Sequence, residues 1–91
     1  MKCSIIVSYC RSTERAVRLY HSLENQNFTH DEYELIFVNY GERDNLSDYI
    51  SEHSSSVRVR CFTIAGAKVS QAKNQGIRRA SGDLLIFLNG D

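Results

Sequence analysis

Four short apolar runs, separated by stretches with helical spacing, organise this chain. "CSIIVSY" (3–9), "YELIFVN" (33–39) and "LLIFL" (84–88) are continuous runs rich in branched and aromatic residues, the pattern of strands covered on both faces. "VRVRCFTI" (57–64) alternates in its first half, which predicts an edge strand with Arg58 and Arg60 in solvent. Between the runs, apolar residues recur at helical intervals. Ala16, Leu19, Tyr20 and Leu23 form one stripe of a helix over 12–26, capped by Ser12 and carrying Glu14 in its first turn. Leu46, Tyr49 and Ile50 face inward on a short helix over 44–53 with Asp44 as its N-cap, followed by a polar turn at 54–56. Val69, Ala72, Gly76 and Ala80 share one face of a third helix over 68–80, with Gly76 allowing close approach to the sheet and Gly82 closing the helix.

The order β-α-β-α-β-α-β predicts an α/β fold: a Rossmann-like, mainly parallel sheet with helices on both faces. Its crossovers are right-handed and its strand order is 3-2-1-4. Sheets of this kind bind ligands beyond the carboxyl ends of their strands, where the strand order reverses. Three of the four strand ends carry polar groups there: Tyr9–Arg11, Asn39–Asp44 and Asn89–Asp91.

Composition narrows the options. Ninety-one residues make one small domain, and eleven Lys and Arg balance eleven Asp and Glu. No global field therefore steers the chain to nucleic acid or an anionic membrane, and any phosphate site must be local. Three cysteines, two of them inside apolar runs and none in C-x-x-C spacing, fit reduced thiols of a cytoplasmic protein better than a disulfide framework. No apolar run approaches the roughly 20 residues that span a bilayer. Dinucleotide and P-loop fingerprints are missing. His21, His30 and His53 lack metal-site or triad spacing and read as solvated surface residues.

One combination of segments stands out. "SIIVSYCR", "ELIFVNYGERD", "AKNQGIRRASGD" and "LLIFLNGD" occur in an order and spacing that resembles the N-terminal half of family 2 glycosyltransferases, which have the GT-A fold. The resemblance covers nearly the whole chain. It implies that Ser8 and Tyr9 lie in the turn holding a nucleoside, with Arg11 nearby. Asn39 stands where the family's "DDGS" motif places the Asp that contacts the base; Tyr40 replaces the second Asp, while Gly41 and Asp44 match. Lys73 takes the place of an Arg, Asn74 and Gly76 match, and Asn89-Gly90-Asp91 stands where the family has "DxD".

The implied ligand is a nucleoside-diphosphate sugar, UDP-sugar first, with a divalent cation (Mn or Mg) at Asp91. The Asn39 carbonyl can accept from uracil N3–H, and its amide can instead donate to cytosine N3, so the base stays open. Tyr40 can equally be a packing residue, and Asn89-Gly90 a simple turn after a strand. Arg78 and Arg79 read as a solvated helix face. Since the family places its acceptor site and catalytic base in the second half, residues 1–91 are expected to be one truncated donor-binding subdomain without catalytic residues. An open sheet edge would invite self-association. A non-catalytic nucleotide-binding or assembly module is the alternative, favoured by the two Asp-to-Asn differences.

Overall fold

The computed structural model describes residues 2–25, 32–53 and 57–90. They form β1 (Cys3–Tyr9), α1 (Thr13–Glu24), β2 (Tyr33–Asn39), α2 (Leu46–Glu52), β3 (Arg58–Thr63), α3 (Val69–Arg79) and β4 (Leu84–Asn89). The strands make one sheet in the order β3-β2-β1-β4, with all three pairings parallel. The expected turn at 54–56 and His30 lie outside the described residues.

Pleating divides the sheet into two faces. Ile5, Val7 and Tyr9 of β1 pack with Leu35 and Phe37 of β2 beneath Ala16 and Tyr20 of α1 and Leu46 of α2. On the opposite face Ile6, Ile36 and Val38 pack against Ala72 of α3. β1 and β2 are therefore covered on both sides, as their unbroken apolar runs require. Gly76 follows the expectation: a Cβ there would overlap Ile6, so glycine sets how closely α3 lies on β1.

Several residues depart from the sequence pattern. Arg60 is half-buried rather than solvated, because its guanidinium lies 3.2 Å from the fully buried carboxylate of Glu34 and also donates to the Arg79 carbonyl. Ser4 Oγ and Ser81 N–H each donate to Glu34 at 2.7 Å, and Gly82 N–H donates to Ser4. Burial opposes the charge on Glu34, but these hydrogen bonds and the charges of Arg60 and Arg58 outweigh it and hold its pKa below the usual 4.5.

The third helix stops at Arg79 with extended Ala80, so Gly82 does not close it. Instead, Gly82 lies hard against the β1 backbone at Cys3 and Ser4. Arg79 is not merely solvated, since its guanidinium sits over the Phe62 ring. Val69 and Tyr49, expected inward, are exposed. Finally, β4 is an edge strand that leaves Leu84, Ile86 and Phe87 exposed at 60%, 38% and 41%. Its continuous apolar run resembles that of a covered strand, although among the described residues only β1 pairs with it.

Candidate functional site

Where β1 and β2 end, two turns face each other across a crevice of about 600 Å³. One wall is Tyr9–Thr13, the turn into α1; the other is Asn39–Asp44, the turn into α2, with Ala67 beyond. The turns touch at Gly41. A Cβ at that position would overlap the Cys10 carbonyl oxygen, so only glycine permits this close approach. Backbone pairing also carries past the strands, with Tyr40 N–H donating to Tyr9 O at 2.9 Å and Ile64 N–H to Asn39 O at 2.8 Å.

Asn39 is buried, and its amide is held by its own turn. Its Oδ1 accepts the Gly41 N–H at 2.8 Å, and its Nδ2 donates to the Glu42 carbonyl at 2.6 Å. One N–H and one carbonyl lone pair remain for a ligand.

Asp44 is the second organising group. Its Oδ2 accepts from Tyr9 Oη at 2.9 Å and Thr13 Oγ1 at 2.8 Å, while Oδ1 accepts the Leu46 N–H at 3.3 Å. This corrects the expected capping in detail: α2 starts at Leu46 with Asn45 at the N-cap position, and Asp44 binds the helix's first N–H from one residue further out. Tyr9 is buried edge-on against Phe37, so its hydroxyl positions Asp44 and its ring is unavailable for stacking. Burial, the bond to Asp44 and the nearby charge push the Tyr9 phenol well above its ordinary range. Burial and then the Asp44 charge push the Cys61 thiol up to about 11. A smaller cavity of about 350 Å³ adjoins on the β3 side and shares Tyr9, Arg43 and Asp44.

The crevice therefore brings together Tyr9, Arg11, Asn39, Gly41 and Asp44, all expected there. It leaves three others apart. Ser8 is buried one residue below, where its carbonyl accepts the Gly90 N–H at 2.9 Å. Lys73 is exposed on α3. Asn89 pairs with Ser8 in register, and with Gly90 it edges a separate depression beside Arg15, Arg18 and Ser22 of α1. Asp91 lies outside the described residues. Tyr40 packs against the α3-side core as well as lining the crevice.

Sequence reasoning passed over Thr13 and Arg43. Thr13 had a signal, since it directly follows the helix cap; Arg43 had none beyond its place in a polar turn. Ser12 does cap α1 as expected, accepting the Arg15 N–H at 3.1 Å. The positive end of the α1 dipole thus meets the crevice, beside exposed Arg11 and Arg43. Among the described residues, no three of His, Cys, Asp or Glu converge here as a metal site.

The glycosyl transferase family 2 model matches residues 4–91, nearly the whole chain. The chain belongs to that family. A curated relative, an uncharacterized glycosyltransferase of Rickettsia bellii (strain RML369-C), is 28% identical over 90 residues, covering 99% of this chain but 13% of the relative. Staphylococcus aureus TarS matches with a TM-score of 0.85 at 22% identity, over 100% of this chain, 28% of TarS 1–349 and 17% of the longer TarS chain. TarS has also been solved with UDP and with UDP-GlcNAc, each with a TM-score of 0.82. The mannosyltransferase PcManGT from Pyrobaculum calidifontis, solved with GDP-Man and Mn2+, matches with a TM-score of 0.86 at 15% identity over 99% of this chain and 27% of its own. These likenesses establish the GT-A-like fold of this family 2 chain. Among the described residues, no helix is long and apolar enough to cross a membrane.

Proposed function

We propose that residues 1–91 form the donor-binding subdomain of a longer glycosyltransferase, and that the crevice takes a nucleoside-diphosphate sugar, UDP-sugar first. The observation that carries this reading is the crevice itself. Its volume of about 600 Å³ lies within the range of small-molecule sites, at the strand ends where such sheets bind ligands. The base would lie against the ends of β1 and β2, reached by the free amide hydrogen and lone pair of Asn39. The diphosphate would extend toward the end of β4, with Arg11 and the α1 N-terminus opposing its charge.

Asp91 is the proposed ligand for Mn2+ or Mg2+. The carboxylate of Asp44 is already committed to Tyr9, Thr13 and Leu46, and Asn89 offers no charge. When bound, such an ion neutralises a departing diphosphate; with one carboxylate, its contribution to binding is modest. In the full enzyme, a carboxylate from the remaining chain would deprotonate an acceptor hydroxyl for inverting attack at the anomeric carbon. The 91-residue chain alone would transfer no sugar, and its exposed β4 edge would drive self-association.

A non-catalytic binding module is the second reading, favoured by neutral amides at Asn39 and Asn89. Titration calorimetry with UDP, UDP-GlcNAc and CDP, with and without Mn2+, tests the donor reading. Uridine nucleotides are expected to bind below millimolar concentration, and no binding of any of the three at millimolar concentration would end it.

A further inference from the structure

At the opposite end of the sheet from the crevice, α1 and α2 finish side by side. The last turn of α1 lies at the start of β2, where Tyr33 Oη donates to the Leu23 carbonyl at 2.8 Å. Three metal-competent side chains meet there. Glu24 Oε1 is 2.6 Å from His21 Nδ1 and 3.2 Å from His53 Nε2, and the three ligand atoms all lie within 4.8 Å of one another. This corrects the expectation that both histidines are solvated.

We propose that His21, Glu24 and His53 form a binding site for a zinc-class divalent transition-metal ion that clips the last turn of α1 to the end of α2. A tetrahedral ion with bonds of about 2.0–2.1 Å needs ligand atoms about 3.3 Å apart, so adjustments of roughly 1 Å or less bring all three to one centre. The rings are already oriented. Tyr49 Oη lies 2.6 Å from the far nitrogen of His21, the kind of outer partner that fixes a ligating imidazole. The His53 ring is stacked with Tyr49 at 6.1 Å and lies edge-on to Tyr20 at 5.6 Å. Glu24 is 13% exposed and the two imidazoles 35% and 38%, which leaves the outer coordination position open to solvent.

In the metal-free arrangement His21 Nδ1 is hydrogen-bonded to Glu24, and His53 Nε2 lies 3.2 Å from the same oxygen; with metal bound, each ring would carry its proton on the far nitrogen. Two imidazoles and a carboxylate suit Zn2+, Co2+ and Ni2+, and poorly suit Mg2+ or Ca2+. α2 gains most from such a clip, because Leu46 is the one buried residue among its seven. The site is independent of the nucleotide reading.

The test uses the untagged 91-residue chain under reducing conditions, unfolded thermally with Zn2+ or Mg2+. At about a hundredfold excess over Kd, Zn2+ is expected to raise Tm by about 10 °C or more, and Mg2+ to leave it unchanged. Co2+ should give a four-coordinate visible spectrum without thiolate bands. His53→Ala and the near-isosteric Glu24→Gln, each confirmed as folded by circular dichroism, should lose the zinc shift. A Tm unmoved by millimolar Zn2+, a shift that persists in both variants, or a cobalt–thiolate band pointing to the cysteines would overturn the site.

Discussion

The chemistry of Asn39 is fixed by the turn it sits in. Its amide donates to one backbone group and accepts from another, a pairing that no carboxylate can make. Asn39→Asp, which on base chemistry alone would sharpen preference for uracil, therefore also sets a carboxylate oxygen against the Glu42 carbonyl. We expect it to lower stability by about 1–3 kcal/mol in chemical denaturation, with weaker nucleotide binding. Asp44→Asn separates charge from shape at the other organising residue. It should lower the pKa of Cys61 from about 11, because burial remains but the neighbouring charge is gone. The pH profile of Cys61 alkylation, read by peptide mass spectrometry, checks this; an unmoved profile would leave burial as the whole cause. Neither role was legible in the sequence. Asn39 and Asp44 stood out as polar groups at a strand end, but their hydrogen bonds join residues that only the folded turns bring together.

At the scale of elements, the strands were legible because continuous apolar runs admit few alternatives, and the parallel order followed from the helical crossovers. The details that failed have one physical source. Periodicity reports which face of an element is apolar, and says nothing about how far a neighbour extends over it. Val69 falls beyond the covered part of α3, Tyr49 turns to His21, and β4 has a covered strand's pattern with a single strand neighbour among the described residues. Arg60 was expected in solvent, and what holds it is Glu34, a buried carboxylate that the α3–β4 connection also reaches through Ser81. Gly76 was legible, since a glycine on the inward face of a helix implies close approach. Gly76→Ala gains about 1 kcal/mol of helix propensity but overlaps Ile6, so the net effect should be a loss of about 1–2 kcal/mol. In a double-mutant cycle, Ile6→Ala should cost less in the Gly76→Ala background than in the wild type. Additive losses would show that the contact does not set the packing.

For the whole molecule, the two ends of the sheet differ: the buried Glu34 network ties one end together, and the proposed nucleotide crevice lies at the other. Glu34 joins β1, β2, β3 and the α3–β4 connection, so its charge state bears on global stability. Its folded pKa lies below the usual 4.5, which means the unfolded chain binds more protons in acid. The contribution is complete above the unfolded value and is lost as pH falls through the folded one. Glu34→Gln should thus lower stability at neutral pH and flatten the decline below about pH 4.5, read from urea unfolding across the acid range. At the other end, the two turns that meet at Gly41 are proposed to receive the nucleotide. Amide chemical shifts of the 15N-labelled chain during addition of UDP test it most directly. The largest shifts are expected on Tyr9–Thr13 and Asn39–Asp44, with β3's start and the His21–His53 cluster unmoved. Saturating shifts centred away from those two turns, or no shifts at millimolar UDP, would contradict it.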